Sequence, residues 1–284
     1  MTVIEAIVLG IVQGLTEFLP VSSSAHLIIV PWLLGWESPG LAFDAALHLG
    51  TLGAVLIYFW REILAMIATL PRALRHPGRV LRSPDPRDTM PRMSLLIAAG
   101  TIPGLVVGYL GQGIIDQAYH QPGGPPDRII VAIAMALAGL ALFMMVGERL
   151  ARHTRVLSDM RLPDGLAIGL SQAAALIPGV SRSGATITTG LFRDLTREDA
   201  ARFSFLLGVP IIAAAGLKGV YDTFSAGLPQ DQLVIFIIGI LTSGIAGLIA
   251  ISALLRYLQR STFRIFIVYR LALAVVLVLL TVVK

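Results

Sequence analysis

Residues 3–30 read VIEAIVLGIVQGLTEFLPVSSSAHLIIV. The run is apolar enough for a membrane helix, yet Gln13, Glu17, Pro20 and the triple Ser22-Ser23-Ser24 interrupt it. Proline removes a backbone donor and breaks a helix. Unpaired backbone at membrane depth is costly unless it is buried in protein or faces a wet cavity. The pattern predicts a broken, re-entrant helix. A second run near 164–190, DGLAIGLSQAAALIPGVSRSGATITTG, is broken in the same way by Pro178-Gly179 and Ser181-Arg182-Ser183-Gly184.

The rest of the chain fits a membrane setting. Of 284 residues, 56% are apolar and 14% charged, against about 25% charged in a typical soluble domain. A soluble fold could not hide that much apolar surface. This excludes a disordered chain, a nucleic-acid-binding domain and an ordinary cytosolic enzyme. At 1.5 Å per residue, about 20 helical residues cross the hydrocarbon core. Apolar runs of that length lie near 41–60, 92–112, 129–147, 203–221, 232–255 and 265–283. The expected fold is all-α: a single integral membrane domain over 1–284, with about six transmembrane helices and two re-entrant broken helices. Cysteine is absent, so disulfides, thiolate catalysis and Cys-based metal sites are excluded. The N-terminus lacks a basic region and a clear cleavage site, so it is not read as a removable signal peptide.

Lys and Arg number 22 against 17 Asp and Glu, a net charge of +5. The excess sits in short loops. Residues 61–92 carry seven Arg, 148–163 carry four and 256–264 carry three, whereas 113–127 and 222–231 carry no Lys or Arg. The positive-inside rule places 61–92, 148–163, 191–202 and 256–264 in the cytoplasm, with the Arg-free loops and the C-terminus outside. The first broken segment then enters and leaves from the outside and the second from the inside.

The two segments also match in sequence. A shift of 159 residues superposes Gly10 on Gly169, Gln13 on Gln172, Val21 on Val180, Ser22 on Ser181 and Ser24 on Ser183. Opposed orientation turns a modest match into the signature of an inverted repeat, approximately 1–112 and 129–255, with a final span at 265–283. Such repeats bring their broken helices together near mid-membrane.

Gln13 and Glu17 are four apart and share a helix face. An intramembrane carboxylate is a functional candidate by default. The plainer reading is an ion pair with Arg182 that only holds the helices together. Ser22 or Ser24 could be an ordinary helix cap, but a helix N-terminus also suits an anion such as phosphate. His26 could be a general acid, a general base, a nucleophile or a packed residue. In the second segment Ser181, Ser183 and Thr186 offer hydroxyls, and Arg182 offers a planar fork for phosphate oxygens. Asp44 and His48, four apart, could line the same cavity or sit at the interface. Arg270 in the last span is expected to be satisfied by carbonyls or an acid, and His76, His120 and His153 fall in loops. No His/Asp/Glu spacing makes a protein-only metal site. The set suits a phosphorylated, lipid-like substrate, whether it is transported or hydrolysed.

QGLTEFLPVSSSAH at 13–26 resembles the first signature of the undecaprenyl-diphosphate phosphatase family, also called the bacitracin-resistance family. PGVSRSGATIT at 178–188 resembles its second signature, and FSFLLGVPI at 203–211 is also similar. The resemblance covers essentially the whole chain. It implies hydrolysis of undecaprenyl diphosphate to undecaprenyl phosphate and inorganic phosphate, which recycles the lipid carrier of peptidoglycan synthesis. The implied setting is the bacterial cytoplasmic membrane, with the active site facing the outer or periplasmic side. The implied catalytic residues are Glu17, Ser23, His26 and Arg182, with either Ser23 or His26 as the nucleophile. Gln13, Ser22, Ser24, Ser181, Ser183 and Thr186 are expected to bind phosphate. The resemblance also implies a divalent cation, Mg²⁺ or Ca²⁺. Some members have Glu where this chain has Gln13. With Glu17 the one carboxylate offered to the metal, diphosphate oxygens and water would supply most of the ligands. Expected partners are the polyprenyl diphosphate and membrane lipids; a homo-oligomer is left open. The rival class is a transporter or flippase of a lipid phosphate that releases no inorganic phosphate.

Overall fold

The computed structural model describes residues 1–119, 125–227 and 230–283. The chain is helical, and among the described residues the one extended pairing is an isolated bridge between Arg155 and Leu195. Helix α1 runs Val3–Phe18, started by reciprocal hydrogen bonds between Thr2 and Glu5. It ends ahead of Pro20, and α2 (Ser23–Leu34) follows the serine-rich break. The long helices α3 (Gly40–Tyr58) and α6 (Thr89–Tyr119) complete the first half, with two shorter helices, α4 (Trp60–Arg75) and α5 (Pro77–Arg82), between them, and α7 (Asp127–Leu150) opens the second. The second broken segment is α8 (Leu162–Ser171), a 3-10 stretch to Leu176, and α9 (Arg182–Phe192). Then come α10 (Arg197–Ala226), α11 (Gln230–Leu258) and α12 (Arg264–Val283).

Among the described residues, six helices are long and apolar enough to cross a membrane: Gly40–Tyr58, Pro86–Gly111, Asp127–Leu150, Arg197–Asp222, Gln232–Leu258 and Arg264–Val283. They coincide with the six runs expected from sequence. The protein is a polytopic, all-α membrane protein. Residues 61–92 correct one expectation: they are mostly helical rather than a loop. Buried Met66 and Ala73, with part-buried Ile63, recur at helical spacing beneath the exposed Arg61, Arg72 and Arg75. The charges lower the hydropathy of the stretch without removing its apolar face. His76 joins α4 to α5 and His153 lies in a loop, whereas His120 lies outside the described residues.

Packing depends on small residues, as is usual where lipid removes the hydrophobic drive between helices. Helix α1 lies on α11, where a Cβ on Gly14 would meet the Ser243 carbonyl at 2.5 Å. Helix α8 lies on α6, where a Cβ on Gly169 would meet Gly100 Cα at 2.3 Å. Each broken helix thus packs on a long helix of the other half, and α3 meets α11 as α10 meets α6. Helix α12 packs along α7. This interlock holds the two breaks against each other.

Candidate active site

Glu17 lies in the last turn of α1 and is buried. Its Oε2 accepts from Ser23 Oγ at 2.7 Å and from Gln13 Nε2 at 3.1 Å. Its Oε1 accepts from Arg182 Nη2 at 3.2 Å. The offset that pairs Ser22 with Ser181 also pairs Ser23 with Arg182, so equivalent positions of the two segments converge on one carboxylate. Ser183 Oγ donates to the Leu19 carbonyl at 3.2 Å and ties the second break to the first.

The remaining hydroxyls divide by role. Ser181 caps α9, accepting from the Gly184 amide at 3.1 Å, and its Oγ lies 3.0 Å from that of Ser183. Ser22 and Ser24 form the corresponding pair at 3.3 Å, but the Ser22 side chain caps nothing. Ser22 adopts φ of 80°, a left-handed conformation that costs a non-glycine residue about 1–3 kcal/mol and clusters at functional sites. Thr186 is fully buried, within 2.6 Å of Ser204 Oγ, and the Ser204 carbonyl accepts from Arg182 Nη1 at 3.1 Å. Thr186 therefore sits behind the arginine.

His26 is held apart from Glu17. Its Nδ1 lies 2.7 Å from the Ser22 carbonyl and must carry a proton to bond there. Its Nε2 lies 2.6 Å from Tyr269 Oη, and the two rings stack. His48, in contrast, brings Nε2 within 3.7 Å of Glu17 Oε2, while its Nδ1 bonds the Asp44 carbonyl at 2.7 Å.

Two buried atoms in the cluster, Arg182 Nε and Gln13 Oε1, have no hydrogen-bond partner among the described residues. The Glu17 carboxylate can only accept, so the Gln13 amide nitrogen must face it and the carbonyl oxygen must face away. The first is a spare donor for an anion and the second a spare acceptor for water or a hard cation. No group of three His, Cys, Asp or Glu able to hold a metal occurs among the described residues. Glu17 and Gln13 Oε1 still fit a cation that takes its other oxygens from phosphate and water.

The chain matches the family model for bacitracin resistance protein BacA over residues 6–276. The chain belongs to the BacA family. It is 47% identical over 279 residues to an undecaprenyl-diphosphatase of Thermomicrobium roseum, covering 98% of each chain. The undecaprenyl-diphosphatase of Moorella thermoacetica is 44% identical, over 98% of this chain and 97% of the relative. That of Rubrobacter xylanophilus is 42% identical over 95% of both.

In this BacA-family chain four residues around the cluster fall outside the two signatures at 13–26 and 178–188. Ser204 and Tyr269 lie in apolar runs and act through a carbonyl and a ring. His48 gave a weak signal in its four-residue spacing from Asp44. Arg270 is fully buried and donates to three carbonyls: Leu137 at 3.1 Å, Pro20 at 3.2 Å and Gly179 at 2.8 Å. Pro20 and Gly179 are again 159 apart, so one guanidinium binds the same carbonyl in both breaks.

Proposed function

We infer that the protein is an undecaprenyl-diphosphatase that releases inorganic phosphate and leaves undecaprenyl phosphate, and so supports bacitracin resistance. The family and the names of its full-length relatives support the reaction. The single structural observation that carries it is the convergence of Ser23 and Arg182 on Glu17, because this presents a hydroxyl, its base and a phosphate-binding fork together.

Ser23 Oγ attacks the terminal phosphorus and gives its proton to Glu17 Oε2. The bond from that phosphorus to the bridging oxygen breaks, and undecaprenyl phosphate leaves as a stable anion that needs no proton. Water then attacks the phosphoserine. Glu17 returns its proton to Ser23 Oγ as the phosphorus–serine bond breaks, and inorganic phosphate departs as dihydrogen phosphate, carrying the water oxygen and both of its protons. Arg182 leaves Glu17 Oε1 for the phosphate and adds its unpaired Nε, so the ion pair is the resting state of the phosphate clamp. Ser22, Ser24 and Ser183 line the breaks as further donors, while Ser181 and Thr186 fix α9 and Arg182. Positioning and charge stabilisation supply most of the rate gain in such transfers. Gln13 Oε1 and Glu17 would hold a divalent cation, Mg²⁺ or Ca²⁺, which would supply neutralising charge to the diphosphate. His26, with both ring nitrogens engaged, positions the turn before Ser23.

The halves are read as inverted repeats in the bacterial cytoplasmic membrane, with the α1–α2 break opening outward. Opposed charge patterns and the reciprocal packing of the broken helices support this. The test is phosphate release from undecaprenyl diphosphate by purified wild type, Glu17→Ala and Ser23→Ala, with Mg²⁺, Ca²⁺ or EDTA. Release by wild type alone, abolished by EDTA, is expected. Release by Ser23→Ala at the wild-type rate would remove Ser23 as nucleophile. A folded wild type that releases none would overturn the reaction.

A further inference from the structure

Away from the Glu17 cluster, the arginine-rich segments after α5, α7 and α9 meet around a cavity of about 840 Å³. Five arginines line it, Arg82, Arg92, Arg155, Arg161 and Arg193, against two acids, Asp159 and Asp164. Asp164 is shared by Arg155 and Arg193, each at 2.6 Å. Asp159 accepts the Val156 amide at 2.9 Å and forms no ion pair among the described residues. Arg82, Arg92 and Arg161 likewise have no acidic partner among the described residues. Charges of one sign gathered in a concave site repel one another and focus an attractive field for an anion.

Arg92 makes this more than a solvated patch. It is 4% exposed and lines the cavity. Its two terminal nitrogens donate to the Ser83 and Ser158 carbonyls, which pins α6 to the segments on either side. Its Nε is buried with no partner. A buried cation with an unsatisfied donor is costly unless something supplies an acceptor. Planar guanidinium forks favour phosphate oxygens in particular, since each can take two at once.

We propose that this cavity is a second anion site, which binds a phosphate group carried by a lipid or free in solution. In the orientation argued above it opens to the cytoplasmic side, but the proposal rests on the cavity and not on the phosphatase reaction. Leu81 and Met160 add apolar wall beside the arginines, and the volume exceeds what one phosphate needs, which suits the start of a lipid chain.

The test is the thermal midpoint of the purified full-length chain, titrated separately with inorganic phosphate and with farnesyl phosphate, using farnesol as the uncharged control. A ligand that binds only the folded state raises the midpoint with concentration. Arg82 and Arg161 are exposed, so the variant Arg82→Gln/Arg161→Gln removes charge without opening the core. The expected result is a rise in wild type and at least a tenfold higher ligand concentration for the same rise in the double variant. A rise with farnesyl phosphate alone assigns a lipid headgroup; a rise with inorganic phosphate assigns the free ion. Phosphate held only between Glu17 and Arg182 would give identical curves in the two proteins, and that result overturns the proposal. So does a wild type that neither phosphate stabilises. If the double variant shows no cooperative transition, Arg161→Gln alone must require at least threefold more ligand.

Discussion

Glu17 stands between two residues that one offset relates, and each takes one of its oxygens: Ser23 takes Oε2 and Arg182 takes Oε1. In the proposed mechanism the carboxylate can therefore take the hydroxyl proton on Oε2 while Arg182 leaves Oε1 for the phosphate. The position of Arg182 depends on a residue with no side chain. A Cβ placed on Gly208 would fall 2.0 Å from Arg182 Nη1 and 2.5 Å from Cζ. The clash is with the end of a flexible side chain, so the fold can survive it while the fork moves. Gly208→Ala is expected to lower turnover at least tenfold with little change in thermal midpoint, since losing one charge-stabilising donor costs about 10²–10³ in rate. Turnover and unfolding measured on the same preparation check this; unchanged turnover would show that the fork tolerates displacement. The Glu17–Arg182 contact was legible in sequence because an acid and an arginine in two apolar breaks each need a partner. Gly208 was not, since a glycine within FSFLLGVPI reads as helix packing until the arginine is seen lying over it.

At the scale of elements, the two breaks are also joined by a helix that belongs to neither. Arg270 projects from α12 and bonds Pro20, Gly179 and, on α7, Leu137. Carbonyls freed where a helix breaks must be paired in a membrane interior, and one buried fork pairs the equivalent carbonyl of each break. Both breaks were legible from their prolines and serines. That Arg270 joins them was not, because sequence shows a lone charge in an apolar span and does not show which carbonyls it meets. Arg270→Met keeps the bulk and removes every donor. Each orphaned carbonyl then costs about 1–3 kcal/mol, and the breaks lose their mutual register. Turnover is expected to fall at least tenfold and the thermal midpoint to drop, with Arg270→Lys intermediate in both. A methionine variant with full turnover would show that α1, α8 and their glycine contacts hold the breaks without help.

Across the whole molecule, charge bears on both stability at the arginine-rich face and the proposed direction in the membrane. Burial pushes the Asp164 carboxyl up, but hydrogen bonds from Arg155, the Arg161 amide and Arg193 outweigh this and hold it below its usual value of 3.8. A lowered folded-state pKa gives stability that is present above the unfolded value and lost as pH falls through the folded one. Asp164→Asn should therefore lower the thermal midpoint at neutral pH, and the gap from wild type should close as pH falls below about 4. A gap that stays constant with pH would make the contribution one of packing. The proposed direction in the membrane rests on the same arginine-rich segments, and the absence of cysteine allows a clean test. Exposed Ser38 lies between α2 and α3, and exposed Gln259 lies beyond the end of α11, beside Arg256 and Arg260. The proposed orientation puts the arginines inside and the α2–α3 connection outside. A membrane-impermeant thiol reagent is expected to label Ser38→Cys in intact cells and Gln259→Cys only after permeabilisation. The reverse pattern would turn the molecule over. The α1–α2 break would then open to the cytoplasm, and a diphosphate held on the outer leaflet would have to cross the membrane before Ser23 could reach it.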